Sequence, residues 1–310
     1  MLVLALATAA ILAATDGMAW GAWGHKRITR AAVYALPDAL RPLFKRHLTY
    51  LEAQSLVPDR RRYVDPSEAP RHYIDLDVYL PALRDTGVLR YSNALAHFGA
   101  DTLRRHGELP WTIHRVYLQL VEAFRQRQTA RALKLAAELS HYIADASVPL
   151  HTTSDYDGQR AGLRGIHVLW ESTLPERYGA GYRWYLGSAT VLDAPLSTSW
   201  QLVRESHSQV DSLLNIAQRL RASRTADTRV GYAVRGRSTV GAVSQEYSAE
   251  YHALLGGMIE RCLQRAAQRV ASYWLSAWVE AGQPDVSLSG VIVVDQGDEA
   301  LPRHSHPCRD

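Results

Sequence analysis

Between Trp20 and Ala281 apolar residues recur three and four positions apart, and this periodicity most constrains what the chain can become. It is clearest in TIHRVYLQLVEAFRQR, TARALKLAAELSHYIADA and MIERCLQRAAQRVASYWLSAWVEA. Alternating strand patterns are scarce. Prolines at 37, 42, 58, 66, 70, 110, 149, 175 and 195 fall where helices should stop. With 310 residues, 47% of them apolar, the chain can bury a large core, which excludes intrinsic disorder. The reading is one all-α, multi-helix domain with long loops, spanning residues 20–284. Residues 222–241, rich in Arg, Thr, Ser and Gly, read as one such loop, and 285–310 as a polar tail holding one β-like run, VIVV.

The N-terminal run LVLALATAAILAA has the length of a signal-peptide core and is too short to span a bilayer. Gly17 and Ala19 place small residues at −3 and −1 of a cut after Ala19. Residues 1–19 are therefore expected to be a signal peptide, and the protein exported, periplasmic or extracellular. No later stretch approaches the ~20 apolar residues of a transmembrane helix. The formal charge of +4 is compatible with an anionic substrate and says little more. Two cysteines, Cys262 and Cys308, allow at most one internal disulfide, so thiols do not organise the fold.

Histidine carries more information. In SHYIADASVPLH, His141 and Asp145 stand at i and i+4 and share one helical face; Pro149 then breaks the helix and His151 follows on the turn. The pair follows the apolar residues Leu135 and Leu139, so the helix is read as inward-facing, where an unpaired His and Asp would be costly. GIHVLWES repeats the arrangement with His167 and Glu171 before Pro175. Imidazole and carboxylate are the ligands of zinc sites that lack thiolates, and paired inward-facing helices are a known way to hold several metals. Upstream, PDRRRYVDPSEAPRHYIDLD offers Asp59, Asp65, His72, Asp75 and Asp77, with His72 in an extended segment. A chain starting at Trp20 would also present an α-amine and carbonyl able to chelate a metal, followed by His25. The same WGAWGH stretch reads equally as a tryptophan staple packed on the bundle.

Taken in order, Trp20, His25, Asp59, HYID at 72–75, H-x3-D-x5-H from His141 and H-x3-E from His167 resemble one superfamily. It is that of the trinuclear-zinc phosphodiesterases, which joins bacterial zinc-dependent phospholipase C to the fungal and plant single-strand-specific (type I) nucleases. The resemblance covers Trp20 to Glu171 by motif. It implies three Zn2+ ions in a cleft between helices. Asp59, His72, His141 and Asp145 would hold the first, and His151, His167 and Glu171 the second. The Trp20 amine and carbonyl would hold the third with His25 and a bridging Asp145. Asp59 is preferred to the nearby Asp65 because its distance from His72 fits the family better.

The resemblance further implies a zinc-bridging hydroxide oriented by Asp59, with Arg62 neutralising charge on the phosphoryl group. Tyr73 would stack on an unpaired base and Asp75 would hydrogen-bond it. WGAWGH, Asp59 with Arg62, and HYID look like the nucleases, whereas Glu171 in the last motif is as in phospholipase C. Trp23 and Arg60 stand where choline-selective phospholipases carry an acid and an aromatic. The expected function is a single-strand-preferring nuclease of endonuclease/3′-nucleotidase type giving 5′-phosphate products. Its partner is single-stranded nucleic acid, with no obligate protein partner. The alternatives are phospholipase C action on phospholipid head groups and a secreted zinc-binding protein without catalysis.

Overall fold

The computed structural model describes residues 20–79, 90–235 and 238–286. The expected signal peptide, VIVV and Cys308 lie outside them. Six long helices carry the architecture: α1 (Gly21–Ala35), α2 (Leu109–Arg125), α3 (Thr129–Ala146), α4 (Pro195–His207), α5 (Val210–Ala222) and α6 (Met258–Glu280). The bundle is all-α apart from one hairpin among the described residues.

Helix α3 is the centre. Every residue from Leu135 to Ala146 is buried, and α1, α2, α4 and α6 all pack on it. The first half of α3 shows Arg131 and Lys134 to solvent, whereas its enclosed C-terminal half is mostly apolar and carries Glu138, His141 and Asp145 inside the core. Trp274 of α6 anchors the packing. It is fully buried, lies 4.8 Å from the Phe44 ring and donates its indole N–H to the Ala136 carbonyl at 2.9 Å.

The prolines punctuate the chain, but more of them open helices than close them. Pro42, Pro58, Pro110, Pro175 and Pro195 sit in first turns, where the missing N–H would have had no partner. Pro37 does stop α1, holding Leu36 extended. Near Gly282, as the pattern predicts, α6 ends, and that residue takes φ 87.

Three local expectations differ from what the chain does. His72 closes a 3₁₀ turn, Ala69–His72, rather than lying in an extended segment; extended backbone starts at Tyr73. Pro175 does not end the helix of His167. Ile166–Val168 passes through a π-turn, Leu169–Thr173, into Leu174–Tyr178. The wider turn fits a proline, whose ring would clash with the carbonyl four residues back in a regular helix. Within 222–241, a short helix Ala226–Arg229 leads into β1 (Val230–Arg235), which pairs antiparallel with β2 (Ser238–Val243) in the register Val230↔Val243. The β-branched and aromatic residues Val230, Tyr232, Val234, Thr239 and Val243 favour strands over a loop. No helix among the described residues is long and apolar enough to cross a membrane.

Replacing Trp274 by Ala should remove about 3–5 kcal/mol of stability, read as a lowered urea midpoint at unchanged slope.

Candidate metal centre

The C-terminal half of α3 sets His141 and Asp145 one turn apart inside the core, both fully buried. Each draws in partners from other segments. Asp59 arrives on the short helix Val57–Arg61, His72 on the 3₁₀ turn, and His25 on α1. The Asp145 carboxylate lies 2.9 Å from His72 Nδ1, 3.2 Å from His141 Nε2 and 3.5 Å from His25 Nε2. Asp59 Oδ1 is 3.6 Å from both His72 Nδ1 and His141 Nε2. The rings of His25 and His141 stack at 4.1 Å. Past α3, the 3₁₀ turn Pro149–Thr152 carries His151, and the π-turn carries Glu171. Glu171 Oε2 lies 2.9 Å from His167 Nε2 and 3.3 Å from His151 Nε2.

Three groups of ligand atoms are thus gathered: His25, His141 and Asp145; Asp59, His72 and His141; and His151, His167 and Glu171. Asp145 and His141 join the first two. Asp65, the other acid considered for Asp59's place, instead caps the N–H and hydroxyl of Ser67 away from the cluster.

Trp20 serves as a staple: its indole donates to the Ala144 carbonyl at 2.6 Å and packs on Trp170 at 5.2 Å. Its carbonyl accepts the Gly24 N–H at 3.0 Å, and its φ of 46 is left-handed. The staple ties the start of α1 to the residue beside Asp145.

The donor set fits a cation. Both oxygens of Asp59, Asp145 Oδ1, Glu171 Oε1 and His151 Nε2 are buried without a hydrogen-bond partner among the described residues. Such orphaned acceptors are costly unless a metal or another positive charge satisfies them. The imidazoles are aimed. His141 Nδ1 faces the Ser55 carbonyl at 2.8 Å and His151 Nδ1 the His72 carbonyl at 2.8 Å, so each donates there and presents Nε2 to the centre. His72 is turned the other way, with Nδ1 inward and Nε2 3.4 Å from Glu68.

Charge is balanced within the cluster. Burial pushes the Asp59 carboxyl up, despite His141 and His72. Burial also opposes ionisation of Asp145, but His141 with hydrogen bonds from His141 and His72 holds it well below the usual carboxylate range. For His141 burial favours the neutral ring, yet Asp145 and Asp59 outweigh it and raise the imidazole to about 9. Glu171 is likewise carried, against burial, to about 2 by His167 and His151.

A small cavity of about 10 Å³ opens beside the cluster, lined by Arg62, His72, Tyr73, Leu150, His151, Tyr156 and His167. Arg62 lies 3.8 Å from Asp59 Oδ1, and the Tyr73 hydroxyl donates to the Arg105 carbonyl at 3.2 Å. Gly107 fixes Tyr73's place: a Cβ there would lie 2.0 Å from the Tyr73 carbonyl oxygen. Asp75 is buried and does not line the cavity; its carboxylate accepts from His106 at 3.0 Å.

Tyr156 and Asp157 went unnoticed in the sequence. Asp157 accepts the N–H groups of Gly165 and His167 and so anchors the turn that carries His167. Nothing in their spacing marks them, because their role is set by a loop closing on a distant helix. Glu68 was also missed, although it stands four residues before His72, the spacing that marked His141 and Asp145.

No family model matches the chain, and no curated protein matches it in sequence. Solved structures do. The alpha-toxin of Clostridium perfringens from avian strain SWCP aligns with a TM-score of 0.50 and 18% identity, over 88% of this chain and 68% of that one. Alpha toxin from Clostridium absonum aligns with a TM-score of 0.47 and 14% identity, over 84% and 64%. At 18% identity, the first likeness is one of fold.

Two outcomes follow for metal binding. Asp145→Asn, which weakens the shared ligand, should lower bound zinc by more than one site's worth, measured by elemental analysis after dialysis. In the metal-free protein His141 stays protonated up to about pH 9, so zinc must displace that proton. Zinc affinity should therefore rise with pH between 6.5 and about 9, with proton release detectable by calorimetry in buffers of different ionisation enthalpy. The stability that the His141 ion pairs lend the metal-free fold runs the other way. It is complete below pH 6.5 and lost as pH climbs through about 9.

Proposed function

We propose that this protein is a zinc-dependent phosphodiesterase. The observation that carries the reading is the set of three histidine–carboxylate groups, two of them joined through His141, with Arg62 on the wall of the adjoining cavity. His25, Asp145 and the amine and carbonyl of Trp20 would hold one zinc; Asp59, His72, His141 and Asp145 a second; and His151, His167 and Glu171 a third. Bound zinc supplies Lewis acidity toward a phosphoryl oxygen and an activated water near neutral pH.

The chain's own residues do the rest. Asp59, buried beside His72 and His141, is placed to orient an attacking water by accepting its hydrogen bond. Arg62, half enclosed by the cavity, offers a planar donor fork to a non-bridging phosphate oxygen and neutralises charge as the leaving oxygen departs. The narrow, partly apolar mouth limits water around that phosphate.

For the substrate, we propose a single-stranded nucleic acid. Tyr73 and Tyr156 stand in the wall with Arg62, and an aromatic face beside a phosphate-binding arginine suits an unstacked base next to its own phosphate. Export as a signal-peptide-bearing precursor belongs to the same reading. A second reading, hydrolysis of phospholipid head groups, has its own support. The matched fold comes from a bacterial alpha-toxin, and the superfamily that the motifs resemble includes bacterial zinc-dependent phospholipase C. Asp75 is engaged with His106, which leaves the base contact to the tyrosines alone.

Zinc-loaded protein assayed side by side on single-stranded DNA or RNA, duplex DNA and phospholipid vesicles separates these readings. Cleavage of single strands above duplex supports the first, and diacylglycerol release without nucleic-acid cleavage replaces it with the second. No phosphodiester hydrolysis by a fully loaded protein overturns both and leaves a structural zinc protein. Arg62→Met should lower kcat about 100- to 1000-fold while bound zinc is unchanged.

A further inference from the structure

Glu68, just before the turn that carries His72, is a buried carboxylate that belongs to none of the metal groups. Glu68 is fully buried, yet its side chain is surrounded by donors. Arg61 Nε lies 3.0 Å and Arg61 Nη2 3.3 Å from its two oxygens. Arg71 Nη1 donates at 2.8 Å, and the Tyr142 hydroxyl also donates to it. The remaining neighbour is His72 Nε2, at 3.4 Å.

These partners come from the three segments that must converge to form the ligand group of Asp59, His72 and His141. Arg61 belongs to the helix that carries Asp59, and His72 ends the turn that follows Glu68. Tyr142 sits beside His141 on α3, as does Glu138, which holds the other arm of Arg61 at 2.9 Å. One carboxylate therefore ties together the sources of Asp59, His72, His141 and Asp145.

Its effect on His72 is specific. His141 and His151 each donate Nδ1–H to a backbone carbonyl and offer Nε2 to the centre. His72 offers Nδ1, which lies 2.9 Å from Asp145 and 3.0 Å from His141 Nε2. An imidazole that gives one nitrogen to a metal keeps the proton on the other, and an anionic acceptor there fixes the ring and raises its basicity. A carbonyl serves that purpose for His141 and His151; for His72 the group facing Nε2 is the Glu68 carboxylate, at an ion-pair distance of 3.4 Å and without a formed hydrogen bond.

We infer that Glu68 is a positioning residue of the metal centre, holding His72 as the Nε2–H tautomer so that Nδ1 is the ligand atom. This rests on the zinc reading above, but its test needs no substrate. Glu68→Gln should weaken zinc binding about 10- to 100-fold in chelator competition. Glu138→Gln, which loses a bond from the same Arg61 without facing His72, should leave zinc binding unchanged. Glu68→Asp, keeping the charge at shorter reach, should recover part of the affinity.

A variant-free measurement stands beside these, in case Glu68→Gln does not fold. In zinc-loaded wild-type protein, nitrogen-15 spectra should show His72 protonated at Nε2 with a slowly exchanging proton, and metal-bound at Nδ1. Zinc affinity unchanged in folded Glu68→Gln, or His72 bound through Nε2, overturns the inference. Zinc binding without any phosphodiester hydrolysis would instead sink the enzymatic reading and leave Glu68's role standing.

Discussion

Asp145 lies in the last turn of a helix that has no solvent-facing side at its C-terminal half, and the rest of the site follows from that placement. A carboxylate in such a position must be compensated. His25, His72 and His141 surround it within 3.5 Å, and they come from α1, a 3₁₀ turn and α3 itself. Each brings further polar atoms that must be satisfied in turn, so compensation spreads outward to Asp59, the Ser55 carbonyl and Glu68. The network still leaves acceptors on Asp59, Asp145 and Glu171 without hydrogen bonds among the described residues. That residue of negative potential is what a dication would neutralise.

The bundle serves this cluster by rigidity. The apolar faces of α2, α4 and α6 enclose α3, so the ligand helix has little freedom to open and hydrate its charges. The less regular segments supply the remaining ligands, because a continuous helix cannot direct residues from several sides onto one point. A 3₁₀ turn brings His72, another brings His151, and a π-turn re-aims Glu171 after His167. Departures from regular helix concentrate at the chemistry, where a few degrees of redirection decide whether a ligand atom reaches the centre.

Much of this was legible in the residues. The 3.6-residue period reports a helix whether or not its partners are known, so α2, α3 and α6 follow from local pattern. The ligands also carry a local mark, since His141 with Asp145 and His167 with Glu171 need only helical spacing to share a face. Glu68 with His72 bears the same spacing, but its significance depends on Arg61, Arg71 and Tyr142 converging on it, which no short motif encodes. The hairpin at 230–243 was hidden by its neighbours: an Arg- and Gly-rich composition masked two short alternating runs. Asp75 stood in a recognisable motif, yet the direction of its carboxylate depended on His106, thirty-one residues away.

By itself, then, the sequence determined the helical architecture and the identity of the residues meant for the interior, because periodicity and burial are properties of each segment alone. It also placed His25, Asp59, His72, His141, Asp145, His151, His167 and Glu171 in one ordered pattern. Only the tertiary structure decided which ring nitrogen each histidine presents, that Asp75 turns to His106, and that Tyr156 shares the cavity wall with Arg62 and Tyr73. Those outcomes depend on distances between segments far apart in the chain, and such distances are settled by packing against α3, not by any segment's own pattern.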